Sequence, residues 1–403
     1  MVKCLFCESV LTDDTKPEHI LLNALGGRKT SRRLICSSHN EAFGGSIDKA
    51  MAEQVAVLRN MLQLDSGTGN DPPMLKGIDA GGEKINFRSD GVPELAGRRF
   101  TITDRGDGSF ALQVQARSEE EFIRLIPHIA AKLKIPEDQL RQMLTSTNAG
   151  YITKRPGPVH HPLSFGGPDA VRSITKSCLE LWAVAVGNDE VRGPAYQEAR
   201  SFALAYAEPF NAAAEPFNAA RTHLDSRFLP DADELKRHFC NLFNLIYIKS
   251  DPAGRVIAHF TLYNMIAWTV VLAEQGGTPN RKIGLVNNPL DPTVWSDTIA
   301  DEIDIDFAWL AAPDHSLERA RNRVIAVGRE YVERTRPAEI GRIVDEVFDK
   351  YGIPEGALVG VAALKPMWNE LAQRMVSWAL SLPHEDKLTA AQLAELLKKR
   401  SSE

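Results

Sequence analysis

The spacing of apolar residues along the chain predicts both helices and strands. Between Ser46 and Leu64 apolar residues recur every three or four positions, which is the period of an amphipathic helix. From 98 to 118 apolar and polar residues alternate on both sides of a Gly-containing turn, which predicts a β-hairpin. Residues 243–274 contain β-rich runs around the turn-forming sequence Asp251–Gly254, so a small sheet is expected there as well.

Helical patterns fill most of the remaining chain. Ser118 and Glu121 form a capping box, which predicts a helix that runs to about Leu133. Two further helical patterns lie between 168 and 206, and the chain from about residue 316 onward is predicted to be helical, with a C-cap at Gly352. The sequence AEPFNAA occurs twice in tandem, at 207–213 and 214–220, and is interpreted as a duplication tolerated in a loop or helix connection.

Composition places the chain among ordinary globular proteins. Its 403 residues are 43% hydrophobic and 25% charged, which makes disorder, collagen and coiled coil poor descriptions. This length accommodates two or three domains. No apolar run is long enough to span a membrane and no signal-peptide pattern opens the chain. A cytoplasmic protein without membrane association is therefore expected.

Positive charge is concentrated near the start of the chain. The formal net charge of -6 argues against a surface that is basic all over, but it allows a local basic patch. Four basic residues form such a patch: Arg28, Lys29, Arg32 and Arg33. Acidic residues cluster elsewhere and are interpreted as a solvated surface rather than a second metal site: Asp301, Glu302, Asp304 and Asp306.

Cysteine spacing in the same region indicates a metal site. Cys4-x-x-Cys7 and Cys36-x-x-His39 each have the spacing with which two soft ligands bind one ion from a tight turn. Together they supply the four sulfur and nitrogen ligands of a closed tetrahedral zinc site. The alternative is a chance pairing in which the thiols are buried as apolar residues and His39 is merely exposed.

The residues around these two pairs carry a family resemblance. Between the pairs lie Glu18-His19-Ile20 and Leu25-Gly26-Gly27, and after the second pair come Asn40, Gly44, Gly45 and Asp48. In this order and spacing the segment resembles the HNH endonuclease family, in the branch that has two zinc knuckles. The resemblance implies a ββα-metal finger, in which two short strands and a helix surround a catalytic divalent ion and a structural Zn²⁺ braces them from outside.

The resemblance also implies roles for single residues. His19 would be the general base that takes a proton from the attacking water, while Glu18 and Asn40 would hold Mg²⁺ or Mn²⁺ against the scissile phosphate. These roles agree with the chemistry of the side chains, because a neutral imidazole accepts a proton near neutral pH and a hard cation prefers oxygen ligands. Glu18, His19 and Asn40 are therefore the predicted catalytic residues.

The basic patch and the Gly pair lie between the two knuckles. Arg28, Lys29, Arg32 and Arg33 are predicted to contact phosphates, which gives affinity that is independent of sequence and weakens with salt. For each of them a solvated surface is the alternative. Gly26 and Gly27 are expected to form the turn between the strands, with close backbone approach to a phosphate as the alternative.

Three positions depart from the family pattern. Leu22 stands where many members have Pro, and His39 stands where a fourth Cys is more usual. Ser31 replaces an Asn that orients the loop, and its hydroxyl has a shorter reach. The zinc site should tolerate His39, because His is a normal zinc ligand.

These observations predict an α+β protein, with an N-terminal zinc-braced ββα-metal finger and a mixed, mainly helical body with small antiparallel sheets. The expected division is an HNH-type zinc-containing nuclease domain at 1–65, a mixed hairpin and helix region at 66–160, an α+β region at 161–310 and a helical C-terminal region at 311–403.

The function expected first is metal-dependent endonuclease activity on nucleic acid, with DNA favoured over RNA and the remaining chain serving recognition or regulation. A zinc-braced module that binds nucleic acid without cutting it is the main alternative. A scaffolding protein, in which the knuckles only tie down the N-terminus, is the third. A regulatory partner or ligand of the C-terminal body and an oligomeric state are left open.

Overall fold

The computed structural model describes most of the chain, namely residues 1–97, 99–106, 109–114, 116, 119–145, 149–153, 159, 163–205, 221–230, 232–354, 356, 360–380 and 384–388. The tandem AEPFNAA repeat, the predicted capping residue Ser118 and the part of the predicted C-terminal helical region beyond residue 388 lie outside the described residues. None of the described helices is long and apolar enough to cross a membrane.

Strands and helices alternate irregularly along the chain. The strands are β1 (Glu18–His19), β2 (Thr30–Ser31), β3 (Leu75–Ala80), β4 (Glu83–Phe87), β5 (Pro93–Leu95), β6 (Phe100–Asp104), β7 (Phe110–Val114), β8 (Ala149–Thr153), β9 (Thr222–Asp225), β10 (Asn244–Ser250), β11 (Val256–Leu262), β12 (Ile266–Ala273), β13 (Lys282–Asn287), β14 (Trp295–Ser296) and β15 (His384–Leu388).

The helices are α1 (Ser37–Gly45), α2 (Ile47–Met61), α3 (Glu119–Leu133), α4 (Glu137–Thr145), α5 (Pro168–Val186), α6 (Asn188–Val191), α7 (Gln197–Leu204), α8 (Ala232–Phe239), α9 (Ile299–Glu302), α10 (Phe307–Leu310), α11 (Leu317–Lys350) and α12 (Val361–Leu380). Short 3-10 turns lie at Asn23–Leu25 and Pro194–Tyr196.

The chain divides into two compact units. The first comprises 1–73, 89–91 and 162–334, and the second comprises 74–88, 92–161 and 335–403. The N-terminal finger therefore belongs to the same unit as the sheet-forming region. The four-part division predicted from the sequence stays a prediction.

A six-stranded antiparallel sheet forms the centre of the first unit. Its strand order is β14-β13-β10-β11-β12-β9. The predicted hairpin around Asp251–Gly254 is confirmed, because β10 and β11 pair antiparallel up to Ser250 opposite Val256. Every residue of β11 and β12 is buried, which shows that both faces of the sheet are covered.

Alternate residues of the sheet enter two separate cores, because successive side chains of a strand point to opposite faces. On β10, Ile246 and Ile248 belong to the core shared with α5 and the finger. Leu245 and Tyr247 belong to the second core, which contains α8 and the segment around α9. The sheet therefore separates the finger side of the unit from α8, α9 and α10.

Helix α5 is buried from Ala170 to Ala183. It packs against α2 and α7 on one side and against strands of the sheet on the other. A helix covered on all sides is normally apolar all round. This helix also buries Lys176 and Glu180, and each charged group in such a position needs a partner.

The second unit contains smaller antiparallel pairings. The predicted hairpin at 98–118 is confirmed by β6 and β7, which pair from Phe100 opposite Val114 to Asp104 opposite Phe110. Ile126 and Leu140 of α3 and α4 form a small core with this hairpin. The other sheets are β3-β4-β5 and β8-β15.

The predicted fold class is confirmed, since the protein mixes helices with antiparallel sheets and begins with a ββα element. The predicted helix at 46–64 corresponds to α2. The helical region predicted from about residue 316 onward begins with one long helix, α11. Gly352 follows its end with a positive φ of 63°, as a C-cap requires.

Candidate nuclease and metal site

Strands β1 and β2 form a minimal hairpin that carries the Glu-His pair. Glu18 lies opposite Ser31 and His19 lies opposite Thr30 in the antiparallel register. Because neighbouring side chains of a strand alternate, the two members of the pair have different surroundings. Glu18 is buried, whereas His19 is half-buried.

Helix α1 carries His39 and Asn40 in its first turn. It begins immediately after Cys36, whose extended backbone leads into the helix. The Asn40 amide donates a hydrogen bond of 3.1 Å to the carbonyl oxygen of Pro17. This bond joins the start of the helix to the residue that precedes Glu18. The Asn40 side-chain oxygen accepts no hydrogen bond from the described residues.

The predicted metal ligands come together. The ligand atoms of Cys4, Cys7, Cys36 and His39 all lie within 4.8 Å of one another. The sulfurs of Cys7 and Cys36 are 3.8 Å apart. A tetrahedral ion with Zn–S bonds of about 2.3 Å would separate two sulfurs by about 3.8 Å. In the part of the chain that the structure describes, no other group of three or more Cys, His, Asp or Glu offers such an arrangement.

Hydrogen bonds around the thiols favour their ionised form. The backbone amides of Phe6 and Cys36 donate hydrogen bonds to the Cys4 sulfur, with lengths of 3.4 Å and 3.3 Å respectively. Burial raises the pKa of Cys4. Burial also acts to raise the pKa of Cys7, but hydrogen bonds with Ser9 and the neighbouring thiols outweigh it and lower this pKa to about 7. Thiolates are the form that binds zinc, so this group could hold a structural zinc ion.

Glu18 contacts a lysine that lies 158 positions further along the chain. The Lys176 ammonium, on α5, forms an ion pair with Glu18 and another with Asp48 of α2, at 2.7 Å. It also lies 3.8 Å from Glu180 and 5.6 Å from the centre of the Phe43 ring. One oxygen of Glu18 accepts this contact, and the second oxygen accepts no hydrogen bond from the described residues.

Burial and charge set the protonation of this cluster. Burial acts to lower the pKa of Lys176, but the carboxylates of Asp48, Glu180 and Glu18 outweigh it and raise this pKa, so the ammonium stays charged. Burial raises the pKa of Glu18, and Lys176 opposes the shift. Burial raises the pKa of Glu180 well above its usual range, which favours the neutral acid.

His19 has the protonation state that a general base needs. Burial lowers its pKa, and the nearby Lys176 charge lowers it further. Its imidazole makes no hydrogen bond with the described residues, so both ring nitrogens are free for water or substrate. A neutral, unpaired imidazole can accept a proton.

Comparison with known proteins agrees with this geometry. Residues 4–56 match the family model described as HNH endonuclease. These residues form an HNH endonuclease domain. No curated protein and no solved structure matches the chain.

The HNH domain offers hard donors for a divalent cation. Glu18 and Asn40 each have a side-chain oxygen that accepts no hydrogen bond from the described residues, and carboxylate and amide oxygens are the ligands that Mg²⁺ or Mn²⁺ prefers. Their chemistry therefore fits the cation that the family implies. The two side chains make no hydrogen bond to each other. Glu18 contacts Lys176, and Asn40 contacts Pro17.

The four basic residues of the HNH domain have different surroundings. Arg28 is exposed and makes no hydrogen bond with the described residues. Arg32 and Arg33 are also exposed. Arg32 donates a hydrogen bond of 2.6 Å to the Thr15 carbonyl oxygen, and Arg33 donates one of 2.7 Å to the Asp13 carboxylate. Lys29 is half-buried and paired with Asp297. Phosphate contact by these residues stays a prediction, and Arg28 has the most open position.

Gly26 and Gly27 pack tightly inside the first unit. Both are buried, and Gly26 has a positive φ of 82°. A Cβ on Gly27 would lie 1.8 Å from the Leu21 carbonyl oxygen. The preceding Leu25 carbonyl accepts hydrogen bonds from Asn244 at 2.9 Å and from Asn287 at 3.1 Å. The glycines therefore make the turn that was expected, and tight packing explains why side chains are absent there.

Residues far along the chain hold the first knuckle, and the sequence did not reveal them. Arg192 donates to the carbonyl oxygens of both Cys4 and Cys7. The Asn188 amide donates to the carbonyl oxygens of Lys3 at 2.7 Å and Arg33 at 2.8 Å. Lys176 was missed in the same way. Its only sequence signal is a lysine inside the apolar helical run of α5.

Proposed function

We propose that the HNH domain hydrolyses phosphodiester bonds of DNA in a reaction that depends on a divalent cation. The observation that supports this most directly is the half-buried, unpaired His19 beside Glu18 within residues matched to HNH endonucleases. His19 takes a proton from the attacking water, because its lowered pKa keeps the imidazole neutral.

Glu18 and Asn40 are the proposed ligands of Mg²⁺ or Mn²⁺. When bound, such a cation stabilises the negative charge that develops on the phosphate. The bond from Asn40 to Pro17 keeps the start of α1 close to β1, the strand that carries Glu18 and His19. Arg28, Arg32 and Arg33 bind backbone phosphates of the DNA, and Zn²⁺ at the Cys/His group supports the fold.

The test is incubation of the purified protein with supercoiled plasmid, with and without Mg²⁺ or Mn²⁺. Nicked or linear product should form only with the cation. His19→Ala should abolish cutting while zinc content and circular dichroism stay unchanged. The matched control is His238→Ala, because His238 is exposed on α8 in the same unit. Equal cutting by wild type and His19→Ala would contradict the proposal.

Binding without cutting is the second candidate. Ser31 favours it, because its hydroxyl accepts a hydrogen bond of 3.1 Å from the Arg33 amide and makes no hydrogen bond with His19. DNA affinity should then be measurable by fluorescence anisotropy while no substrate is cut. The outcome that supports this candidate is salt-dependent binding by the wild type with no product on single-stranded, double-stranded or RNA substrates in Mg²⁺ or Mn²⁺.

A further inference from the structure

Lys176 brings a buried positive charge to the acidic residues of the HNH domain. Its side chain has no exposed surface, and it pairs with Glu18 and with Asp48. The Ser173 hydroxyl, one turn earlier on α5, donates a hydrogen bond of 2.6 Å to the other oxygen of Asp48. Helix α5 therefore supplies an ammonium and a hydroxyl to two carboxylates of the domain.

This cluster contains three carboxyl groups and one ammonium. Glu18 and Asp48 share the single ammonium of Lys176, while Glu180 is fully buried and neither of its oxygens accepts a hydrogen bond. Buried carboxylates are costly unless a cation compensates them. A divalent cation compensates two carboxylates where the ammonium compensates one.

Glu18 is the residue that both cations would share. One of its oxygens contacts Lys176 and the other accepts no hydrogen bond from the described residues. Its side chain retains 8% exposure, so it is accessible at one edge. An ammonium on one oxygen repels a cation that approaches the other oxygen.

We propose that Lys176 competes with the divalent cation for Glu18, so that the ammonium holds the carboxylate in the metal-free protein and weakens metal binding. The inference rests on the proposed function, which places the cation at Glu18. Lys176 is thus a positioning residue that acts through Glu18. It keeps a buried carboxylate ionised and in place when no metal is present.

The experiment is Mn²⁺ titration of the zinc-loaded protein, followed by electron paramagnetic resonance of free Mn²⁺. Lys176→Met keeps a long buried side chain and removes the charge. Its affinity for Mn²⁺ should be at least about tenfold higher than that of wild type, because the ammonium no longer repels the divalent cation. A second change, Glu18→Gln, made in the Lys176→Met protein should remove this gain. The matched control is Lys49→Met, since Lys49 follows Asp48 directly but is exposed.

Stability gives a readout that is independent of activity. Lys176→Met leaves the buried Glu18 carboxylate without its ammonium and leaves Asp48 with the hydrogen bond from Ser173, so it should unfold at a lower temperature than wild type, and Mn²⁺ should restore the unfolding temperature. Unchanged Mn²⁺ affinity in Lys176→Met, or a protein that remains unfolded in saturating Mn²⁺, would overturn the inference. The proposed function fails as well if two results occur together. Glu18→Gln leaves Mn²⁺ binding unchanged in both the wild-type and the Lys176→Met protein, and none of these proteins cuts DNA.

Discussion

Asn40 donates a 3.1 Å hydrogen bond to the carbonyl oxygen of Pro17, which fixes the helix that carries His39 of the Cys/His group against the strand that carries His19. This bond uses the amide nitrogen and leaves the side-chain oxygen free. One side chain thereby links the structural metal group to the proposed catalytic centre. Its two polar atoms can be tested separately.

Substitution of Asn40 separates its two roles. Asn40→Asp loses the donor but keeps an oxygen ligand, whereas Asn40→Ala loses both. Each variant should lose about 0.5–1.5 kcal/mol of stability in urea unfolding. Asn40→Ala should nick plasmid about 100-fold more slowly than wild type, because the centre loses a ligand and its alignment. Asn40→Asp should retain more activity than Asn40→Ala.

Zinc content checks this assignment, since Asn40 and Glu18 lie outside the Cys/His group. The doubly substituted Glu18→Ala, Asn40→Ala protein should contain as much zinc as wild type by atomic emission. Loss of zinc from this variant would show that the ligands are misassigned. It would also remove the distinction between structural and catalytic ions on which the proposed function depends.

Loss of the structural ion should destabilise the whole first unit. Structural zinc in small fingers contributes about 10–16 kcal/mol, which is as large as the stability of a typical domain. Arg192 binds the carbonyl oxygens of Cys4 and Cys7, so disorder in the knuckle also leaves a half-buried guanidinium without its partners. Cys36→Ser should therefore lose zinc and melt at a markedly lower temperature than wild type.

The control for this substitution is Cys240→Ser, because Cys240 is half-buried and lies outside the metal group. Its zinc content should equal that of wild type. Thermal unfolding followed by circular dichroism, with and without a chelator, gives the comparison. A zinc-free Cys36→Ser protein with an unchanged melting temperature would contradict a structural role for the ion.

Arg28 should contribute to DNA binding through charge alone. It is exposed and makes no hydrogen bond with the described residues. Arg28→Ala should reduce the slope of log affinity against log salt by about 0.9, which corresponds to one phosphate contact. Fluorescence anisotropy with several unrelated duplexes should show the same reduction for each. Arg237→Ala is the control, since it removes one exposed positive charge from α8. An equal change in slope for Arg237→Ala would contradict a local contact between Arg28 and a DNA phosphate.

Buried His259 should make the first unit sensitive to acid. It is fully buried on β11, where burial and the charges of Arg323 and Arg227 lower its pKa to about 3 despite the opposing charge of Asp225. The unfolded chain binds this proton near pH 6.5, whereas the folded protein does not. Stability should therefore fall by about 1.4 kcal/mol per pH unit as the pH decreases below about 6.5.

His259→Phe should remove this contribution and flatten the dependence of the unfolding free energy on pH. Urea unfolding between about pH 7 and pH 5 measures the slope in this range. The control is His238→Phe, because His238 is exposed. Identical slopes for wild type and His259→Phe would show that the buried imidazole is not the source of acid sensitivity.

The sequence by itself determined the local chemistry of this protein. Two ligand pairs with short spacing, a Glu-His dipeptide and a helix that begins after Cys36 are all features of contiguous residues. The short spacing within each ligand pair indicated a common ion, and the two pairs come together as predicted. The predicted hairpins at 98–118 and 243–274 also formed, because alternation and turn residues specify them locally.

Only the tertiary structure decided what surrounds this chemistry. Lys176 reaches Glu18 across 158 positions of sequence, and Arg192 reaches Cys4 across 188. Apolar periodicity reports which face of a helix is buried, but it does not report which residue lies opposite. Helix α5 is buried between the finger and the sheet, and the partners of its Lys176 and Ser173 are carboxylates of the finger, so these contacts depend on the packing of the whole unit.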